Sequence, residues 1–389
     1  MIVCGKNTDF RLGGSLKNKT NKSTSFTSPC QSNLDILSLI SLSSYSHSAW
    51  ILKNGEAFAV GDNRKSKIAS TLPKDLFEND TKITITDKKG HLCKFLSAVC
   101  GSSYTLYQIQ GETNRHPSQL VYSYEDQETI FLNIGKRTPL ALFGGYNTAA
   151  VIDIEGAVII ITKAIFKSPA SEIEAIKLPD GDKAAKVACC EFSIIALGIS
   201  GRVYEHKLDS KSKTFSEIAE FSRIEIDEIS GTFEHFLAVT KDGKVYGRGS
   251  NDACKLGMPE SIKNVNSFTI IDSLNEYHIV EAFAGPFDSL FKTSSGQFLG
   301  CGHNLYGELM LTKNGKKDVY PPEETTIKKN ATVFVGNYTT FVLTDSKMPP
   351  NSPNMKVKYY KKSSSSEEED MQKLLQKKDH EINELKKKN

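Results

Sequence analysis

Over residues 1–346 apolar and polar positions alternate in short, strand-length runs. The recurring unit is a strand-length apolar run, a residue followed by glycine, and a second apolar run. It is clearest in three places. His47 leads into residues 49–52, Asn54-Gly55 and residues 57–60. Residues 235–239 lead into Asp242-Gly243 and Val245-Tyr246. Leu290-Phe291 leads into Ser295-Gly296 and Phe298-Leu299. Asn-Gly or Asp-Gly between apolar runs predicts a β-hairpin, because the turn needs a residue with positive φ. Weaker copies turn at Glu155-Gly156, Ser200-Gly201 and Gln110-Gly111, the last followed by a polar insertion over residues 112–119.

A second element recurs at one spacing. Gly5-Lys6-Asn7 is followed by Leu12-Gly13, Gly61-Asp62-Asn63 by Ile68, Gly249-Ser250-Asn251 by Leu256-Gly257, and Gly302-His303-Asn304 by Leu309. The Asn always lies two after the Gly, and the aliphatic residue five after the Asn. Each hairpin also follows a small anchor residue, and seven anchors can be set out: Ser44, Gly101, Gly144, Cys190, Gly231, Gly285 and Gly336. They stand 41 to 57 residues apart. Strands and turns at that period predict a seven-bladed β-propeller, each blade a sheet of about four strands. The seventh copy has its anchor strand at residues 341–343 but no partner strand, since Pro349 and Pro350 follow. The missing strand is supplied by residues 1–5, so the ring is expected to close through its N-terminal strand, which removes an exposed sheet edge.

Composition narrows the function classes. Lys and Arg number 49 against 46 Asp and Glu, a net charge of +3. That gives no strong nucleic-acid signal, which would need a basic footprint. The N-terminus lacks the basic and long apolar regions of a secretory signal. The most apolar stretch, residues 140–166, is broken by Asn147, Asp153 and Glu155 and reads as two strands around a turn, not as a transmembrane segment. The 8 cysteines form no C-x-x-C pair and no zinc spacing, so they read as small buried hydrophobes in a reducing compartment, cytoplasmic or nuclear. Sequons at Asn330 and Asn337 are then left unglycosylated. No phosphate-cradling loop, metal cluster or nucleophile motif is found, so no cofactor, metal, catalytic residue or small-molecule substrate is expected. The Gly144-Gly145 pair reads as a turn.

The propeller spans residues 1–346. A polar, basic and Ser-rich linker follows over 347–366, with Lys356, Lys358, Lys361 and Lys362 clustered beside Tyr359 and Tyr360. Residues 367–389 predict a short, charged C-terminal α-helical tail. Ser366 with Glu369 fits a capping box. Met371, Leu375, Lys378, Ile382 and Leu385 fall on a coiled-coil-like seam with Lys378 as a flaw, which allows weak self-association or a solvated tail. The serine-acidic run is a candidate phosphorylation site on charge alone. The lysine cluster is a candidate docking point for DNA or anionic lipid.

The candidate site comes from the loops after each anchor. One offset there reads Tyr45, Ser103, Tyr146, Phe192, Phe233, Phe287 and Tyr338. Repeated aromatics at a loop position serve either as a binding face or as inter-blade packing. Glu191, Glu234, His235 and Asp288 lie beside them, and together these suit a basic or peptide partner. His47 and His235 recur at one slot without a nucleophile, which reads as structural.

The order Cys/Ser-Gly-x-x-His, apolar strand, x-Gly, Val-Tyr, Gly-x-Asn, Leu-Gly resembles the regulator-of-chromosome-condensation repeat over residues 1 to about 346. The resemblance implies an all-β, seven-bladed propeller. In the family's exchange factor for a nuclear small GTPase, acidic residues and a histidine of these loops contact the GTPase, and a wedge from one blade perturbs its nucleotide site. The position directly after each anchor carries no Asp here, and the insertion at 112–119 is the candidate for a substitute wedge. The plant ultraviolet-receptor branch needs a cluster of tryptophans, and this chain has only Trp50. The leading expectation is a non-enzymatic protein-interaction scaffold binding a protein partner through one propeller face. The alternative is a guanine-nucleotide exchange factor for a Ran-like small GTPase.

Overall fold

A computed structural model describes residues 2–6, 25–31, 39–113, 116–210, 213–311, 317–344, 355–357 and 359. Their regular structure is β-strand, with short 3₁₀ turns between. The strands form seven four-stranded antiparallel sheets. Blade one runs through Leu39–Ser44, His47–Leu52, Ala57–Asp62 and Leu76–Ile83. The inner strands of the seven sheets end at Ser44, Cys100, Gly144, Cys189, Gly231, Ala284 and Gly336, each at its anchor or one residue before it. Each inner strand packs against the next, and that of the seventh sheet against that of the first.

The seventh sheet combines strands from residues 2–31 with strands from residues 332–343. Thr332–Gly336 and Thr339–Leu343 are followed in it by Ile2–Lys6 and then Ser25–Gln31. Ile2 pairs with Val342 and Gly5 with Thr339. That register repeats elsewhere: His47 faces Gly61, His235 faces Gly249, and Asp288 faces Gly302. Gly5 therefore occupies the glycine position of the Gly-x-Asn element; its Asn7 and Leu12-Gly13 lie outside the described residues.

The cores lie between facing blades. One joins Ala49, Ile51 and Ile83 of blade one to Ala98, Tyr107 and Val121 of blade two. Others join blades two and three, four and five, five and six, and six and seven. A fully buried Ile51 contributes about 1.5–3 kcal/mol by leaving water. The hairpin glycines Gly55, Gly156, Gly201, Gly243 and Gly296 all have φ between +82° and +86°. The glycine alone takes the left-handed conformation and closes the hairpin; Gly55 N–H donates to Leu52 O at 2.9 Å.

Blade two departs from the expected turn. Gln110 and Gly111 lie within the strand Tyr104–Thr113, whose pairing with His116–Tyr124 continues, through an irregularity, to Thr113 opposite His116. The extra residues lengthen this hairpin at the end away from the anchor loop. The described part of the insertion at 112–119 therefore stands at the end of the blade away from the aromatic loops.

The chain divides into two units, Met1–Lys356 and Val357–Asn389. The expected helix over 367–389, its capping box and its seam lie outside the described residues. Among the described residues no helix is long and apolar enough to cross a membrane.

Candidate functional site

The Gly-x-Asn element builds the loop face, and its spacing has a physical cause. The Oδ1 atoms of Asn63, Asn251 and Asn304 accept the backbone N–H of Ile68, Leu256 and Leu309, five residues on, at 2.9, 3.0 and 3.1 Å. The buried amide thus shapes the loop and presses the aliphatic residue into the core. The glycine is required by close approach as well as by its φ of +101° to +108°. A Cβ at Gly249 would lie 2.0 Å from Glu234 O, and one at Gly302 would lie 2.7 Å from Phe287 O. The next residues hold those carbonyls: Ser250 N–H donates to Glu234 O at 3.0 Å and His303 N–H to Phe287 O at 2.9 Å. The element thereby fixes Glu234 and Phe287 in place.

Within the element, a contact between an acidic and a basic residue recurs with the two in reversed order. Lys67 pairs with Asp62 at 3.0 Å in blade one, whereas Glu308 pairs with His303 at 2.5 Å in blade six, at the same two positions. Burial alone would raise the Asp62 carboxyl, but hydrogen bonds from Arg64 and Lys67 outweigh it and hold the group well below the usual carboxylate range. In blade five Lys255 turns instead to Glu234, at 3.2 Å.

The aromatic loop residues converge. Tyr45 meets Tyr146 with ring centroids 5.6 Å apart, Tyr146 meets Phe233 at 4.4 Å, Phe233 meets Phe287 at 5.9 Å, and Phe287 stacks on Tyr338 at 4.5 Å. Blades one, three, five, six and seven are linked in this row. The backbone ties the same loops together: Ser102 N–H donates to Tyr146 O at 2.8 Å, Tyr146 N–H to Thr232 O at 2.9 Å, and Glu191 N–H to Phe233 O at 2.9 Å. Gly145 makes this crossing possible. Its Cβ would lie 2.0 Å from Cys189 O and 2.8 Å from Thr232 O. The pair expected to be a simple turn is a point of close backbone approach.

The histidine slot is structural. His47 Nε2 lies 2.6 Å from Thr105 Oγ1, which donates to Lys67 O at 2.9 Å. His235 Nε2 lies 3.0 Å from Ser289 Oγ, which donates to Lys255 O at 2.6 Å. Each hydroxyl gives its proton to a carbonyl, so the imidazole donates to the hydroxyl and bridges two blades. Burial, reinforced by Lys255, pushes His235 well below its usual range and keeps it neutral. In blade six the slot holds Asp288. Its two carboxylate oxygens and the Thr340 hydroxyl of blade seven are buried without hydrogen-bond partners. Burial, with the Glu308 charge beside it, raises the Asp288 carboxyl well above its usual range.

The predicted site residues separate on this basis. Phe192 is exposed, and Tyr146, Glu191, Phe233, Glu234, Phe287 and Tyr338 are half-buried along the loop face. Tyr45, His235 and Asp288, expected to contact a partner, are instead buried beneath the face at 3%, 0% and 1% exposure. The aromatics are neither all core nor all surface. The sequence reading missed Lys255 and Arg248. Lys255 is buried, with its ammonium 5.9 Å from both the Phe233 and Phe287 centroids. Its signal was the charged residue before the aliphatic one in each element: Lys67, Lys255 and Glu308. At the opposite strand end, Lys356 Nζ donates to Asp227 O and Oδ1 at 2.6 and 2.9 Å.

No protein-family model matches the chain. Over 105 residues, 27% of its length, it is 31% identical to the human probable E3 ubiquitin-protein ligase HERC4, and the rat and mouse counterparts match equally. The chain spans only 10% of the length of these relatives. Among solved structures, human WBSCR16 superposes with a TM-score of 0.69 at 13% identity, covering 87% of this chain and 97% of that one. Prp20p of Saccharomyces cerevisiae superposes with a TM-score of 0.66 at 14% identity, covering 88% and 92%. Cyclic sheets, anchor loops and the Gly-x-Asn scaffold define a repeat propeller whose loops gather on one face. The fold is therefore that of a seven-sheet repeat propeller like human WBSCR16 and Prp20p, and its repeats resemble the regulator-of-chromosome-condensation (RCC1) type.

Proposed function

We propose that this chain is a non-enzymatic protein-interaction scaffold that binds a protein partner through its loop face. The observation that carries the reading is the row of half-buried rings from Tyr146 to Tyr338, with the exposed Phe192 on the neighbouring loop and Glu191 and Glu234 beside them. Rigid aromatics contribute contact area at low entropy cost, and the acidic rim supplies selectivity for a basic partner. The test is capture from native cells by the full chain and by Tyr146→Ala and Tyr338→Ala variants that retain the parent's melting behaviour. The expected result is loss of a specific captured protein in both variants. An unchanged set of captured proteins would remove the reading.

A second reading, nucleotide exchange on a Ran-like small GTPase, is supported by the likeness to Prp20p, described by its binding to Gsp1p and histones. It too uses the acidic loop face. Release of a fluorescent nucleotide from a panel of small GTPases, abolished by Glu191→Gln with Glu234→Gln, would favour it over the scaffold. HERC4's ligase designation adds nothing here, because the match covers so little of that protein.

A further inference from the structure

Phe192 stands apart in the aromatic row. It is 70% exposed and makes no ring contact among the described residues. Beside it lies a groove of about 190 Å³ between blades four and five, lined by Phe192, Phe233, Phe236, Cys190, Glu234 and Arg248.

Two of the chain's own cations already sit in this chemistry. The Arg248 guanidinium lies 5.2 and 4.8 Å from the Phe236 and Phe268 centroids and pairs with Glu205 at 2.6 Å. Lys255 lies between Phe233 and Phe287 and pairs with Glu234. In each case a cation rests against rings and is neutralised by a carboxylate. Both cations are spent, at 15% and 1% side-chain exposure. The nearby acids retain capacity. Glu234 lines the groove, is 35% exposed and commits only Oε2 to Lys255. Glu191 does not line it but lies in the chain between the lining residues Cys190 and Phe192, and it makes no ion pair among the described residues. The uncommitted ring is Phe192, and the uncommitted charge is negative.

We propose that this groove receives an arginine side chain from a partner segment, its guanidinium packed on Phe192 and held by Glu191 and Glu234. The inference rests on the loop-face reading above and names the partner's chemistry. Arginine is favoured over lysine because a planar guanidinium can stack on a ring while its fork reaches two carboxylates.

The test titrates the full chain with an acetylated, amidated pentapeptide of alanine with one central arginine, followed by NMR line shape. The same peptide is made with lysine and with citrulline, which keeps the shape and removes the charge. The arginine peptide is expected to saturate, the lysine peptide to bind about tenfold more weakly, and the citrulline peptide not to bind. Phe192→Ser and Glu191→Gln should each weaken the arginine peptide by about tenfold while leaving the melting temperature unchanged. Absence of saturable arginine binding, equal binding of citrulline, or indifference to Phe192→Ser would each overturn the proposal. If a captured partner is lost with Tyr338→Ala but kept with Phe192→Ser, the groove reading falls and the loop-face reading stands. If neither variant changes capture, the loop-face reading falls.

Discussion

The seam between blades six and seven offers the sharpest test of how these repeats hold together. At the equivalent seams after blades one and five, an imidazole donates to a hydroxyl that donates to a carbonyl. Asp288 is too short to make that bridge, and it leaves its carboxyl and the Thr340 hydroxyl unsatisfied in the interior. Asp288→His should restore the relay through Thr340 toward the Glu308 carbonyl, the counterpart of Lys67 O and Lys255 O. Each buried unsatisfied group costs about 1–3 kcal/mol. Fitting the larger ring opposes this by about 1–3 kcal/mol. A net gain of roughly 1–2 kcal/mol remains, an upward shift of about 2–4 °C in melting temperature for a domain of this size. The reverse change, His235→Asp, should create the same defect after blade five and lower the melting temperature by a similar or larger amount. Thermal scans by far-UV circular dichroism measure both. If Asp288→His melts at or below the parent while His235→Asp is as stable as the parent, the slot does not carry inter-blade stability.

The same carboxyl sets a pH dependence. Folded Asp288 keeps its proton where the unfolded chain has lost it, so its contribution to stability declines as pH rises above about 4, and Asp288→Asn should flatten that decline in denaturant titrations at several pH values. Asp62 has the opposite sign: its contribution is full above about pH 4 and is lost as pH falls, so Asp62→Asn should narrow the loss of stability in acid. Gly145→Ala should lower stability by about 2 kcal/mol or more in thermal scans, because its Cβ meets two carbonyls. Deleting the first dozen residues removes the strand beside Thr339–Leu343, and a truncated chain that melted like the parent would show that this pairing does not close the ring. The Cys100 thiol, pushed by burial up to about 12, should stay unmodified by iodoacetamide in the native chain when mapped by mass spectrometry.

Much of the fold was readable because its signals are local. The x-Gly turns and the Gly-x-Asn loops depend on positive φ and on an amide reaching five residues ahead, and each is contained within a few consecutive residues. Blade two was misread at Gln110-Gly111, since the strand passed through a glycine that looked like a turn. The site was only half readable. A constant loop offset located Tyr146, Phe233, Phe287 and Tyr338, but not that Tyr45 lies beneath the surface while Phe192 lies above it. Exposure there follows from how loops of non-adjacent blades cross, as Tyr146 does in reaching Thr232. Lys255 was missed for a related reason: a lone lysine in a loop reads as solvated until two rings from different blades are seen to enclose it.

Across the copies, what persists is the role of a position and not the identity of its residue. Asp62 with Lys67 and His303 with Glu308 place an acidic and a basic residue in contact at the same two points of the loop, in opposite order. Either order ties the loop together, so local geometry does not select between them. The surroundings do. With Glu308 in the lysine's place, the neighbouring slot faces a buried negative charge, and there a carboxyl can be held only in its neutral form. A histidine in that slot would meet a favourable partner instead. The reversed order in blade six and the missing imidazole at its seam are therefore coupled. Exchanging Glu308 for lysine as well as Asp288 for histidine should lose part of the stability gained by the histidine alone, because the buried imidazole would then again face a cation, as His235 faces Lys255.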